Sequence, residues 1–417
     1  MLDLSPDTNL LDPHLIPSNS GPPHQLFDAW RESDPIHWNP PSESYSPPNP
    51  ATFVSKGFYV LTRHADVREV SLDQERFSSH NGGPTIWDFE GEQLMRQRAG
   101  LMGMRPDDHT ATKALVGPPF GAKELSSFYP EVQQVAEEIV DSVAKRGKCE
   151  FAFDVASKLP VYTFCKLLGV ADAMREQVFT LGNMLADIEK RDDAHGEDYA
   201  GPELMRIGNE LAQEKLESPD NSAMSRLVHG EVEGRKLDAA GLGMFFVTLA
   251  IAGHETTRNT ATHFLRLMSE HPDQYALLRS DLDKYLPNAI EEVLRHSPPV
   301  IKFRRTVTRD TEVGGHQFRT GDKIYLSYAA ANHDPAVFDD PHTFDITRRN
   351  ARKHLAFGVG PHFCMGAALA RYQLRALLTQ WITRLPDYSI DGEMEMLPSI
   401  WFNAVVKMPL RFTPEAA

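Results

Sequence analysis

Near its C-terminal end the chain reads Phe357-Gly358-Val359-Gly360-Pro361-His362-Phe363-Cys364-Met365-Gly366. One cysteine lies in a glycine-rich loop, directly ahead of a helix-like stretch from Met365 to Leu385. Glycines let a backbone approach a flat cofactor closely and leave amide N–H groups to face a sulfur. The N-terminus of the following helix adds positive potential, which favours thiolate over thiol. The loop therefore suits one soft anionic ligand to iron.

Upstream, Leu237-Asp238 opens the longest helical pattern, with Asp238 as its expected N-cap. The pattern runs through Phe245, Phe246 and Leu249 to about Ser269, and His271-Pro272 ends it. In its middle stands Ala252-Gly253-His254-Glu255-Thr256-Thr257. Gly253 weakens the helix by about 1 kcal/mol relative to Ala. A Thr hydroxyl can bond a carbonyl one turn back and bend the helix. A local opening there would make a groove for O2 and water. Taken alone, the segment reads equally as polar residues facing a partner helix. Farther on, Glu292-Val293-Leu294-Arg295 sets acid and base at i and i+3 on one helical face. That spacing is common, and an exposed pair is worth only a few tenths of a kcal/mol.

The bulk composition narrows the class. The 417 residues suffice for one large domain or two ordinary ones. Hydrophobic residues at 41% and charged ones at 24% are those of a globular protein. With 43 basic and 58 acidic residues the net charge is −15, which argues against nucleic acid and anionic membrane as general partners. Cys149, Cys165 and Cys364 have no paired spacing, so a reducing, cytoplasmic compartment is expected. Cys149 and Cys165 sit in apolar contexts and read as small buried hydrophobes. Met1 to Ile16 is acidic and proline-broken, without the basic and apolar regions of a signal peptide. The longest nearly apolar run, Gly241 to Gly253, falls short of the roughly 20 residues that cross a bilayer, so no membrane partner is expected.

Residues 1–25 read as an irregular leader and 26–417 as one domain. Trp30 to Trp38 starts the packing, and Pro40 to Pro50 reads as a surface loop. Gly57 to Thr62 reads as a strand and His64 to Val70 as a helix start. Asn81 to Arg105 reads as a mobile loop with one short helix. Helical periodicity dominates from Ala122 to about Gly230, with Val132, Val135, Ile139 and Val143 on one face and a connection at Arg191 to Gly201. Val300 to Val313 and Lys323 to Tyr328 read as strands, and Ala329 to Arg352 as irregular. The fold class is mainly α with a small β-rich part.

Phe-Gly-x-Gly-x-His-x-Cys-x-Gly in this position resembles the cysteine loop of the haem-thiolate monooxygenases, the cytochrome P-450 superfamily. The resemblance spans roughly Trp30 to the end. It implies a single-domain cytochrome P-450 fold and haem b held by the Cys364 thiolate, with Phe357, Gly358 and Gly366 framing the cofactor. The Ala-Gly-x-Asp/Glu-Thr motif implies that Glu255 and Thr256 deliver the protons that let the O–O bond of O2 break heterolytically. His254 is expected to point away from iron, into the helix groove or toward another element. Glu292 and Arg295 match a structural Glu-x-x-Arg, with Arg348 as candidate third member. His362, Arg305 (in Phe303-Arg-Arg-Thr306) and His109 are the implied propionate contacts. Many members read Met-Asp-Pro-Pro-x-His-Thr-x-x-Arg where this chain reads Met104-Arg-Pro-Asp-Asp-His109-Thr-Ala-Thr-Lys113. Lys113 would replace a bidentate fork by a point charge.

The implied activity uses O2 and two externally supplied electrons to hydroxylate an apolar substrate. The stretches Phe245 to Thr260 and Phe303 to Gly315 are similar to a bacterial group that oxidises steroid side chains, acyclic terpenoids, and alkyl or fatty-acyl termini. Candidate pocket walls are Ile86, Trp87, Leu101, Met102, Phe246, Leu249, Ala250, Val300, Ile301, Trp401 and Phe402, each of which could instead be core. Nothing in the chain would bind flavin or an iron–sulfur cluster, so a separate ferredoxin and ferredoxin reductase are implied. Lys113, Arg352, Lys353, Arg371 and Arg375 would form a basic docking patch. Two alternatives keep the haem. A haem-thiolate peroxygenase or peroxide isomerase is disfavoured by the intact Glu255–Thr256 pair, and a non-catalytic haem sensor lacks an output domain.

Overall fold

The computed structural model describes residues 8–11, 15, 21–41, 56–186 and 195–416. The sequence expectations for 42–55 and 187–194 lie outside these residues, as does much of the leader. Helices dominate: α1 (His24–Ser33), α2 (His64–Leu72), α3 (Gly91–Ala99), α4 (Pro106–Val116), α5 (Ala122–Ala144), α6 (Lys158–Leu168), α7 (Arg175–Ala186), α8 (His195–Glu217), α9 (Ala223–His229), α10 (Ala239–Glu270), α11 (Pro272–Ser280), α12 (Leu282–His296), α13 (Tyr328–Ala331) and α14 (Ala367–Arg384). The strands are short: β1 (Ile36–Asn39), β2 (Phe58–Leu61), β3 (Phe77–Ser78), β4 (Lys148–Glu150), β5 (Lys302–Val307), β6 (Thr311–Val313), β7 (His316–Phe318), β8 (Lys323–Ser327), β9 (Ser389–Ile390), β10 (Glu395–Met396), β11 (Val405–Lys407) and β12 (Pro409–Arg411).

The long helix α10 organises the rest. The Asp238 carboxylate accepts the Gly241 N–H at 2.8 Å, satisfying one orphan donor of the first turn. His271 ends the helix ahead of Pro272, which starts α11. Among the described helices α10 alone is long and apolar enough to cross a membrane. Here it packs instead against α6, α7, α8, α12 and α14. Its C-terminal half carries Phe264, Leu265 and Leu267 into a core shared with Val132 and Val140 of α5, Val293 of α12, and Leu378 and Trp381 of α14. Its N-terminal half puts Phe245, Phe246 and Ala250 into a second core with Phe164 of α6, Leu181 of α7 and Ile207 of α8. Cys149 and Cys165 are buried in these cores, where desolvation pushes both thiols up to about 12.

A five-stranded sheet of order β1-β2-β8-β5-β3 flanks the helices. Its β2–β8 pairing is parallel and the others are antiparallel. Leu10, Leu11 and Leu15 are buried with Leu26, Phe27 and Trp30 of α1 against Phe58, Val60 and Tyr325 of this sheet. The described part of the leader is therefore packed, since its leucines cover one face of the sheet that α1 leaves open.

Candidate active site

Two positive-φ glycines shape the cysteine loop. Gly358 (φ 68°) and Gly360 (φ 74°) lie in the left-handed region that L side chains rarely adopt. A Cβ on Gly360 would also come within 3.0 Å of Leu72 Cδ2 and 3.1 Å of the Ser71 carbonyl. The turn closes through Cys364 N–H donating to the Phe357 carbonyl at 2.8 Å and Phe363 N–H donating to the Gly360 carbonyl at 2.9 Å. Cys364 then stands just before the N-terminus of α14. Burial pushes its thiol up, while the Gly366 N–H, Lys113 and Arg371 draw it down. Cys364 is nevertheless exposed. A sulfur that is both desolvated by its surroundings and accessible faces an internal space.

The α10 helix, which packs against α14, carries an accessible stripe of its own. Ala252 and Gly253 are exposed and Met244, Thr248 and Thr256 half-buried, on a helix that is otherwise largely core. Met244, Thr248, Ala252 and Thr256 fall at i, i+4, i+8 and i+12, a single stripe. Thr248 and Thr256 donate to the carbonyls one turn back, Met244 at 2.6 Å and Ala252 at 2.7 Å. Met365, beside the cysteine, packs against the same core as Leu249 and Ile251 of α10. Sequence reading singled out Thr256 but missed Met244, Thr248 and Ala252; stepping back by four from Thr256 would have found them.

Glu255 points away from the stripe. It is buried, and Arg258 Nη2 donates to its Oε2. Arg258 Nη1 in turn donates to Asn183 Oδ1 of α7 at 2.9 Å. His254 is buried against Phe179 of α7, ring centroids 5.4 Å apart. Burial and the Arg258 charge hold its imidazole well below the usual range, so it is neutral. It faces α7, as the sequence reading expected.

A cationic cluster lies beside the cysteine loop. Arg305 and Phe303 share one face of β5, and Arg304 points to the other, where it donates to the Trp87 carbonyl at 2.9 Å. The His109 and His362 rings meet at a tilt of 42° with centroids 4.2 Å apart, and both Nδ1 atoms are buried without a hydrogen-bond partner among the described residues. Desolvation, then the charges of Lys113 and Arg305, lowers His109 to about 4. Desolvation, then Arg305, His109 and Lys113, lowers His362 to about 2. No carboxylate contributes to either shift. A buried guanidinium, Arg305, and two orphaned ring nitrogens without an anion are incomplete. Two carboxylates of a planar apolar group would complete them, and the exposed sulfur and the small residues of α10 match its iron and its plane. The residues present fit haem.

Lys113 departs from the propionate role. Its Nζ donates to the Pro361 and Phe363 carbonyls at 2.6 and 2.7 Å, so it braces the cysteine loop itself. Arg371 closes on Glu291 at 2.6 Å with its guanidinium 4.4 Å from the Phe357 ring, and Arg375 pairs with Asp283. Of the expected basic patch, Arg352 and Lys353 remain exposed, with no side-chain ion pair among the described residues.

The scaffold triad forms as expected. Glu292 accepts from Arg295 Nε at 2.7 Å and from Arg348 Nε at 3.1 Å. The pocket walls divide. Ile86, Trp87 and Ile301 belong to the core between α1 and the sheet, where Arg304 anchors the Trp87 carbonyl. Leu101, Phe246 and Ala250 belong to the core of α6, α7, α8 and α10, with Phe246 filling the space over Gly208. Full burial against protein removes Ile86 and Phe246 from any cavity wall. Met102, Leu249, Trp401 and Phe402 remain partly exposed, and Val300 bridges to Phe402.

A family profile described as Cytochrome P450 matches residues 196–411. A steroid C26-monooxygenase of Rhodococcus jostii is 33% identical over 387 residues, covering 92% of this chain and 80% of the relative. A methyl-branched lipid omega-hydroxylase of Mycobacterium tuberculosis is 30% identical, covering 93% of this chain and 90% of the relative. A Mycobacterium marinum cytochrome P450 solved in complex with pseudoionone superposes with a TM-score of 0.86 at 32% identity, covering 93% of this chain and 94% of that one. With the cysteine loop, the α10 stripe and the buried triad in place along nearly its whole length, the chain belongs to the cytochrome P450 family.

Proposed function

We propose that this monooxygenase hydroxylates an unactivated carbon near the end of an elongated apolar substrate, such as a steroid side chain, a terpenoid or a branched alkyl chain. Cys364 would hold a haem iron through its thiolate, and that group would supply O2 activation there. The observation that carries the reading is the exposed Cys364 in its glycine loop, together with an accessible stripe of small and hydroxyl side chains on α10, the helix that packs against α14 behind that loop. The names of the steroid C26-monooxygenase and the omega-hydroxylase relatives support the substrate class and the terminal position.

The residues divide the work. His109, His362 and Arg305 hold the propionates, and Lys113 keeps the cysteine loop in shape. Arg371 backs Phe357 behind the sulfur. Thr256 Oγ1 now donates to the Ala252 carbonyl, and rotation about its Cα–Cβ bond turns that proton into the cavity. Glu255 reaches Thr256 only by leaving Arg258, so proton entry is coupled to the packing of α7, which holds Arg258 through Asn183. Electrons come from a separate ferredoxin and its reductase, in the cytoplasm, through a contact that includes Arg352 and Lys353. The test is the absorption spectrum of the reduced protein with carbon monoxide, then titration of the ferric form with a steroid, a terpenoid alcohol and a long-chain alcohol, and product analysis. A thiolate-type Soret band, a low-to-high-spin shift and a terminal alcohol product are expected. A histidine-type spectrum, or oxidation only at mid-chain, refutes the proposal.

A further inference from the structure

The proposed proton delivery uses Glu255 and Thr256 and leaves their neighbour His254 idle. His254 is 2% exposed, and neither Nδ1 nor Nε2 has a hydrogen-bond partner among the described residues. Two buried polar atoms left unmet cost stability that a Leu in the same place would not. From α7 the ring meets Phe179 edge to face, and a Cβ on Gly182 would stand 3.6 Å from Nδ1. These two neighbours bring no side-chain donor or acceptor. The charged groups beside the ring are Glu255 and Arg258 of its own helix. Burial, then the Arg258 charge, keeps the ring neutral.

Nδ1 stands 3.4 Å from Glu255 Oε1, within reach of it but without the alignment of a hydrogen bond. Glu255 Oε2 accepts from Arg258 Nη2, and Arg258 Nη1 donates to Asn183 of α7 at 2.9 Å. The carboxylate is thus flanked by a cation at one oxygen and by a neutral ring at the other. Proton delivery to Thr256 requires Glu255 to leave Arg258. A carboxylate that leaves a buried guanidinium and finds no other donor stays a desolvated charge, which opposes the movement. An Nδ1–H at Oε1 is such a donor. It binds a carboxylate less strongly than a guanidinium does, so it eases the release without trapping Glu255.

From this we infer that His254 is a positioning residue for proton delivery, whose Nδ1–H takes up Glu255 Oε1 as Arg258 lets go. The inference rests on the proposed roles of Glu255 and Thr256. The test compares His254→Leu, His254→Asn and His254→Gln by thermal unfolding. In the haem-loaded protein it also measures product formed per O2 consumed and the solvent deuterium isotope effect. Asn sets an amide nitrogen where Nδ1 stood, and Gln sets one where Nε2 stood. His254 makes no hydrogen bond in the resting structure, so His254→Leu should melt within about 1 °C of the parent or above it. Its coupled turnover should fall at least about tenfold, the loss of one hydrogen bond to a charged group, and its isotope effect should rise. Asn should restore most of both, and Gln should not. A Leu variant coupled like the parent, or Gln as good as Asn, overturns the inference. So does a melting loss that tracks the coupling loss across the three variants, which marks a packing role. Glu255→Gln and Thr256→Ala are measured alongside. If these uncouple and His254→Leu does not, the inference alone fails; if both couple like the parent, the proposed proton delivery fails and takes this inference with it.

Discussion

Glu292→Gln tests the buried scaffold most sharply. Glu292 and Arg295 are fully buried and Arg348 is 9% exposed, so the carboxylate shared by the two guanidiniums is not screened by water. The substitution keeps the shape but turns an acceptor pair into one carbonyl and one amide facing donors. The arginines cannot relax out of the site. Arg295 is pinned by the carbonyls of Asn332 and Pro341, at 3.0 and 2.7 Å, and Arg348 by those of Asp339 and Thr343, at 2.5 and 2.8 Å. Removing one partner of such a buried pair costs about 3–5 kcal/mol, because uncompensated charge remains. A chain of 417 residues unfolds with an entropy near 0.9 kcal/mol/K, so the melting temperature should fall by about 3–6 °C. Arg375→Ala is the control: its pair with Asp283 is 52% and 95% exposed, and the change should stay within about 1 °C. Thermal unfolding of both variants, followed by far-UV circular dichroism, checks the difference. A Glu292→Gln protein that melts within about 1 °C of the parent would refute the argument that the triad is a buried charge network.

Cys364→Ala should abolish the thiolate-type spectrum while the fold persists, since the cysteine's backbone N–H still closes the loop on Phe357; a red-shifted carbon monoxide band in that variant would remove Cys364 as ligand. Thr256→Ala should leave the melting temperature within about 1 °C, because the lost back-bond is offset by better helix propensity. The same variant should consume O2 without matching product, and product formation as efficient as the parent's would end the proton-delivery assignment. Acid should destabilise the protein through His24, whose ring packs at a tilt against His333, centroids 4.1 Å apart. Burial, then His342, lowers His24 to about 4, so below its ordinary 6.5 the unfolded chain binds the proton first. Stability present above pH 6.5 is lost as pH falls toward 4, by on the order of 3 kcal/mol for this group. His24→Gln should flatten that limb of the melting-temperature profile, and an unchanged slope would assign it elsewhere.

What could be read from the sequence had its partners nearby along the chain or inside a motif. Asp238 finds its N–H three residues on, Glu292 finds Arg295 one turn on, and the cysteine loop closes within itself. The helix and strand pattern followed from the same short-range rules. The basic patch failed for the opposite reason. Lys113, Arg371 and Arg375 have their partners 80 or more residues away, at Phe363, Glu291 and Asp283, and no local pattern announces them. The pocket walls divide for a related reason, because a bulky apolar residue looks alike in core and in cavity. Phe246 and Ile86 were taken for lining and are packed solid.

A cavity is written in a sequence by what is missing from it. On α10 the core faces carry Phe245, Phe246, Phe264 and Leu265, while the stripe over the sulfur carries Thr248, Ala252, Gly253 and Thr256. Interiors pack to crystal-like density, so a run of small side chains along one stripe of a deeply embedded helix must be filled by something else. Here the buried Arg305 and the orphaned Nδ1 atoms of His109 and His362, with no anion beside them, fit a group that brings carboxylates as part of the filling.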